Sequence, residues 1–101
     1  MEPEQTLSDS MANMWRGPEA VGGRLKITNQ RIIFTSHMFN LQTGPTEIPL
    51  VAIAQVTPVN TLGLLPNGLS ITLKSGIEYR FVVWGRSRLI NIICANMPQS
   101  L

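Results

Sequence analysis

The sequence predicts a mainly β domain, an antiparallel sandwich or barrel of about seven strands followed by one α-helix. Three observations predict it. Short apolar segments recur from Met11 onward, residues such as Gly, Pro and Asn separate them, and the hydrophobic period changes after Trp84 from that of strands to that of a helix. Because 101 residues suffice for one domain with one core, we expect residues 11–101 to form it.

The first ten residues differ from the rest of the chain. Residues 1–10 carry three of the six acidic side chains and show no hydrophobic period, so we expect a disordered N-terminal tail. They lack the basic and apolar regions of a secretory signal, and no apolar run approaches the roughly 18–20 residues that span a bilayer. The single cysteine supports no disulfide framework. We therefore expect a cytoplasmic location, at most peripheral at the inner face of the membrane.

Two hairpins are the clearest strand predictions, because apolar and polar side chains alternate along both of their arms. Their turns contain Asn29 and Gly76. The hairpins pair residues 24–28 with 31–35, and residues 69–73 with 77–83.

Three further strands, at residues 11–16, 46–48 and 54–60, complete the sheet. Prolines near the last two have no amide hydrogen to donate, which places these strands at edges, ends or bulges. The Gly22-Gly23 pair precedes a strand and not a helix. This favours a flexible connection and excludes a phosphate-binding loop of the nucleotide-binding kind.

A C-terminal helix is predicted from apolar residues at helical spacing. Gly85 or Ser87 is placed to cap its N-terminus, and Pro98 is placed to end it. The apolar positions are Leu89, Ile92, Ile93 and Met97.

The inventory of reactive side chains does not favour catalysis. The carboxylates beyond residue 10 fall on separate segments, so no acid–base pair is predicted. One histidine and one cysteine supply no metal site. A nucleophile formed by His37 and Cys94 in space is the alternative to burial of Cys94 on the apolar face of the helix, which we favour. We expect no enzyme, no metal and no cofactor.

The basic residues indicate an anionic ligand. A net charge of +2 with 14% charged residues gives no dense basic field, so we expect no nucleic-acid partner. The early strands carry four cations that we predict as ligand-binding residues: Arg16, Arg24, Lys26 and Arg31. The alternative is that they keep an outer face soluble and discourage edge pairing.

An apolar patch near Trp84 and the leucine-rich loop is the alternative contact surface, for a protein partner or self-association. We expect both tryptophans, Trp15 and Trp84, to pack within the fold. Leu62, Leu64 and Leu65 lie in a predicted loop, which we expect to cover an open end of the barrel, with insertion into a membrane as the alternative.

Several strings of the sequence together resemble GRAM domains, small bacterial-type members in particular. The longest is Gly-Arg-Leu-Lys-Ile-Thr-Asn-Gln-Arg-Ile-Ile-Phe at residues 23–34, and the similarity runs from about residue 12 to 93. The others are Ile48-Pro49-Leu50, Asn60-Thr61-Leu62-Gly63-Leu64, Pro66-Asn67-Gly68 and Phe81-Val82-Val83-Trp84.

The resemblance implies a pleckstrin-homology-like split β-barrel with seven antiparallel strands and one C-terminal α-helix. It also implies a non-enzymatic module that binds membrane lipids, often phosphoinositides, or proteins. Pleckstrin-homology domains that hold inositol phosphates use basic residues of the first two strands, a pattern that Arg16, Arg24 and Lys26 match here. The expected partner is an anionic membrane lipid or, as the alternative, a protein bound without lipid; the oligomeric state stays open.

Overall fold

The computed structural model of the protein describes residues 3–37 and 44–98. These residues form seven strands, one 3₁₀ turn at Leu50–Ala52 and one helix, α1 (Arg86–Asn96). The strands are β1 (Thr6–Arg16), β2 (Glu19–Thr28), β3 (Arg31–Ser36), β4 (Thr46–Pro49), β5 (Ile53–Thr61), β6 (Leu65–Leu73) and β7 (Glu78–Val83). All pairings are antiparallel, in the order β4-β3-β2-β1-β7-β6-β5. The predicted mainly β fold with a C-terminal helix is confirmed.

One hydrophobic core lies inside the curled sheet. β1 joins the two halves of the sheet because it pairs with both β2 and β7. Phe34 of β3 and Phe81 of β7 meet across the core, with ring centroids 5.9 Å apart and an interplanar angle of 56°. Helix α1 packs against β5 and β6 and buries Leu89 and Ile93 in the same core. The helix begins after Gly85, whose φ of 69° suits glycine, and ends before Pro98.

The first strand begins earlier than predicted. The expected tail at residues 1–10 is too long, since β1 starts at Thr6 and Asp9 pairs in register with Lys26 of β2. The pairing is stable although these residues are polar, because Ser8 is buried against the core side and the outward Asp9 finds a cation on the next strand. Residues 1 and 2 lie outside the described part of the chain.

The second strand also begins earlier than predicted. A two-residue turn at Gly17-Pro18 connects Arg16 to Glu19, and Gly17 has a φ of 60°, as the first central position of a type II′ hairpin turn requires. The Gly22-Gly23 pair is therefore strand and not a flexible connection. A Cβ on Gly23 would stand 2.3 Å from the Thr35 carbonyl oxygen, so glycine allows β3 to approach closely.

Candidate functional site

Two of the four predicted basic residues lie together in one concave surface. Along β2, Leu25 and Ile27 point into the core, so Arg24 and Lys26 point outward on the same face. Side chains two residues apart on a strand are separated by roughly 7 Å along its axis. The depression that they line has a volume of about 380 Å³ and is called the Arg24–Lys26 groove here. Its other lining residues are Asp9, Ile33, Thr35, Ser36 and His37.

The strands on either side of β2 supply the walls of the groove. On β1, Asp9 is the register partner of Lys26, and its Oδ1 accepts a hydrogen bond from Arg24 Nε at 3.0 Å. His37, which follows β3, donates its backbone N–H to the Gly22 carbonyl at 2.9 Å, and this bond fixes the far wall. Within the described residues Lys26 makes no ion pair. The groove therefore combines one paired and one unpaired cation.

Arg31 does not line the groove and forms ion pairs with two neighbouring carboxylates. It begins β3, and its Nε donates to Glu4 Oε2 at 2.8 Å while its Nη1 donates to Glu47. The Thr28 hydroxyl donates to the same Glu4 carboxylate at 2.8 Å. The hydrogen bond from Arg31, followed by that from Thr28, lowers the pKa of Glu4, and the Glu4 carboxylate raises the pKa of Arg31. We call Glu4, Thr28, Arg31 and Glu47 the N-terminal clasp.

Arg16 lies at the other end of the same hairpin. It ends β1 and pairs in register with Glu19, the first residue of β2. Arg24 lies five positions after Glu19, which corresponds to roughly 17 Å along the strand. The structure thus brings Arg24 and Lys26 together, and it places Arg16 and Arg31 at opposite ends.

An exposed apolar pair, Met11 and Trp84, borders the groove, where we expected Trp84 to pack within the fold. Trp84 is 66% exposed and Met11 is 56% exposed, so the expected packing of Trp84 is wrong, while Trp15 is half-buried. Val83 pairs with Ala12, which places Trp84 opposite Met11 at the next register position. With Ser10, the two side chains line a depression of about 310 Å³. Met11 is also the register partner of Arg24 on β2, so the Met11–Trp84 pair adjoins the groove.

The predicted leucine-rich loop is a tight hairpin turn that does not cover the barrel. Leu62 and Leu64 are 82% and 81% exposed, and Leu65 is also exposed at the start of β6. The Leu64 N–H donates to the Thr61 carbonyl at 3.0 Å and closes the turn. We call Leu62, Leu64 and Leu65 the leucine tip.

The reactive side chains do not assemble. Within the described residues, no three His, Cys, Asp or Glu side chains are grouped as metal ligands. His37 lines the groove beyond β3, whereas Cys94 is exposed on α1, which packs on the other half of the sheet. Burial of Cys94, which we expected, is wrong because Leu89 and Ile93 occupy the inward face of the helix. No helix in residues 3–37 or 44–98 is long and apolar enough to cross a membrane.

Solved structures with the same fold are similar to this chain at low sequence identity. The C-terminal domain of an unknown protein from Leishmania infantum superposes with a TM-score of 0.78 at 15% identity, over 93% of this chain and 84% of that one. The N-terminal PH domain of human ARAP2 gives 0.73 at 15% identity, over 93% and 86%. The N-terminal PH domain of Vps36 gives 0.65 at 17% identity, over 93% and 76%. The fold is therefore pleckstrin-homology-like.

The amino-acid sequence matches the model of one protein family. No curated protein matches it. The family model of the GRAM domain matches residues 1–88, which is most of the chain. Together with the strand order and the C-terminal helix, this match shows that the chain belongs to the GRAM domain family.

Proposed function

We propose that this GRAM domain is a non-catalytic module that binds anionic lipid head groups at the cytoplasmic face of a membrane through Arg24 and Lys26. GRAM and pleckstrin-homology-like domains are typically lipid-binding or protein-binding modules, which supports a binding role. The observation that carries the choice of ligand is the Arg24–Lys26 groove, where two cations share one concave surface and Lys26 makes no ion pair with a described residue.

The chemistry of the groove suits phosphate. Arg24 offers a planar fork of N–H donors and Lys26 offers a compact charge, and both face the same depression. A phosphate that bridges the two side chains accepts charge-assisted hydrogen bonds, which are roughly twice as strong as neutral ones. Asp9 opposes this binding because it already accepts a hydrogen bond from Arg24. With an excess of one positive charge among these three groups, binding is weak and declines as salt rises.

Arg16 and Arg31 have no part in the proposed contact. Arg31 is held by two carboxylates of the N-terminal clasp, and Arg16 lies at the far end of β2. The proposed ligand-binding residues are therefore Arg24 and Lys26, with His37 at the wall of the groove.

Vesicle sedimentation tests this function. We expect the protein to sediment at low salt with phosphatidylcholine vesicles that contain phosphatidylserine or a phosphoinositide, and not with phosphatidylcholine alone. Lys26→Ala lowers the affinity about fivefold, since one cation near an anionic surface contributes about 1 kcal/mol. Lys74→Ala, on the turn between β6 and β7, removes the same charge away from the groove and is the control. Equal losses in the two variants, or no binding by the unmodified protein, would contradict the proposal.

Protein binding is the second candidate, and the Met11–Trp84 pair favours it. Tryptophan and methionine are enriched at protein interfaces, and both side chains here are mostly exposed. If this pair mediates self-association, light scattering gives a mass that rises with concentration, and Trp84→Ser lowers it to that of a monomer. A monomer at every concentration would count against self-association.

A further inference from the structure

We propose that the leucine tip inserts into the boundary between the head groups and acyl chains of a lipid bilayer. The inference rests on the turn between β5 and β6 and not on the Arg24–Lys26 groove. It therefore adds a second, apolar membrane contact that the proposed function does not require.

The leucine tip contributes little to the stability of the fold. Leu62 and Leu64 are the two most exposed of the large hydrophobic residues described, at 82% and 81%. Thr61 pairs with Leu65 after a register shift that follows Val59, so backbone pairing completes the turn. A polar residue at position 62 or 64 would satisfy the same backbone. The apolar side chains thus need a partner outside the described chain to become buried.

Backbone strain at Leu62 points in the same direction. Leu62 has a φ of 54°, and within the described residues it is the single non-glycine position with positive φ. Gly63 follows with a φ of 73°, so the two central residues form a type I′ turn, which favours Asn or Gly at both positions. A leucine in the left-handed region is destabilised by contact of its Cβ with the backbone. A strained residue that the local fold does not need is a reason to look for a function.

The shape of the tip suits a bilayer better than a protein. A specific protein interface of standard size uses about 20–30 residues on each side. The leucine tip presents three apolar side chains on a narrow turn, which is too little surface for such an interface. A bilayer requires no complementary pocket, because any apolar group that enters its acyl boundary is removed from water.

The charges around the tip suit an anionic membrane. A depression of about 390 Å³ beside Leu62 and Gly63 is also lined by Trp15 and Arg80. Arg86 donates from Nη1 to the Val59 carbonyl at 2.9 Å, two residues before the end of β5. Arg80 Nε lies 3.2 Å from Glu78 Oε2, so Glu78 offsets one of the two arginine charges. One positive charge remains in excess near the tip. Cations beside an apolar insertion point attract anionic head groups, and a tryptophan is favoured at that depth.

A fluorescent label at the tip tests insertion directly. Cys94 is the single cysteine of the sequence and is exposed on α1, so Cys94→Ser combined with Leu64→Cys gives one labelling site at the tip. With an NBD label we expect a blue shift and stronger emission when phosphatidylcholine–phosphatidylserine vesicles are added. The same label on native Cys94 is the control and should not shift. If the protein binds vesicles but the emission of the two labelled sites changes equally, the proposal is wrong.

A second variant separates insertion from a structural role. Leu62→Asn removes the apolar side chain and places a residue that tolerates positive φ. We expect vesicle affinity to fall about tenfold, as the loss of one buried leucine implies, while Tm stays constant or rises. Val51→Asn replaces another exposed apolar residue, 61% exposed, and is the control with unchanged affinity. A lower Tm with unchanged affinity would assign Leu62 to the fold and contradict insertion.

The two membrane contacts fail separately. High salt screens the Arg24–Lys26 groove but not an apolar contact, so the residual binding at high salt reports the leucine tip. If Lys26→Ala leaves vesicle affinity unchanged while Leu62→Asn still lowers it, binding through the groove is rejected and insertion of the leucine tip is supported. If Leu62→Asn changes only the mass measured by light scattering, the tip contacts a second copy of the chain and insertion is wrong.

Discussion

The N-terminal clasp and the Arg24–Lys26 groove both lie on the hairpin of β2 and β3, and both contain an arginine bound to a carboxylate. In the clasp, Arg31 is bound by Glu4 and Glu47, so its charge is neutralised locally. In the groove, Asp9 binds Arg24 and leaves Lys26 without an ion pair among the described residues. The number of neighbouring carboxylates, and not the presence of a cation alone, therefore sets how much positive charge each part of the hairpin leaves without an ion pair.

Substitution of Thr28 should change stability more than the other variants, because it disrupts the clasp, and it leaves the groove intact. Thr28 is buried, and its hydroxyl oxygen accepts hydrogen bonds from the backbone N–H groups of Gln30 and Arg31, at 3.0 and 2.9 Å. Thr28→Val removes this one acceptor oxygen and the hydroxyl donor to Glu4, and an unsatisfied donor costs about 1–3 kcal/mol when buried and less when it is partly exposed, as here. We expect a clearly lower Tm in thermal denaturation, with vesicle affinity unchanged below that Tm. A loss of affinity in the folded variant would show that clasp and groove are coupled.

The next prediction concerns Asp9, whose carboxylate lines the groove. Asp9→Asn frees Arg24 and removes one negative charge beside Lys26. We expect about fivefold tighter binding to anionic vesicles, since one charge near such a surface is worth about 1 kcal/mol. The exposed ion pair that is lost contributes roughly 0–1 kcal/mol, so Tm changes little.

Glu47→Gln is the matched control for Asp9→Asn, because it removes one negative charge from the clasp. A similar gain in both variants would mean that net charge, and not the groove, governs binding.

The smallest expected effect concerns the pH dependence of stability, to which the clasp contributes through Glu4. The hydrogen bond from Arg31 lowers the pKa of Glu4 in the folded state, so the folded carboxylate binds fewer protons than the unfolded one over that interval. Its stabilising contribution is present above the unfolded pKa of about 4.3 and is lost as pH falls through the lower folded pKa. We expect Arg31→Gln to reduce the loss of Tm on acidification and to leave vesicle affinity unchanged.

For this pH effect the measurement is Tm of both proteins from neutral pH down to the acid range. Because Glu78 also has a lowered pKa, from its hydrogen bonds with Ser70 and Arg80, both proteins retain some acid sensitivity. Parallel curves for the two proteins would contradict the role of the clasp.

How much the sequence predicts depends on whether the signal is local. The alternation along β2 and β3 is local, so the hairpin and the shared outward face of Arg24 and Lys26 were predicted correctly. Asp9 was missed because its position is set by pairing with β2 across a long stretch of chain, and its own neighbours are polar.

Exposure of apolar residues was the other limit of the sequence interpretation. Trp84 and Leu62 were expected to pack against the fold, as most large apolar side chains do. Their exposure follows from tertiary position, since the end of β7 points Trp84 outward and the turn after β5 projects Leu62 away from the core. The alternation of apolar and polar residues along a strand does not show where that strand ends relative to the neighbouring strands.

A ¹⁵N-resolved NMR titration shows whether the groove, and not the clasp, receives an anionic head group. The probe is a soluble inositol phosphate added at low salt, which separates head-group recognition from binding to a bilayer. We expect shifts that saturate at the amides of Arg24 and Lys26 and at residues that face them, including His37 and Asp9, with none at Arg31. Saturating shifts confined to Arg31 and its neighbours, or no shifts at any amide, would contradict head-group binding in the groove.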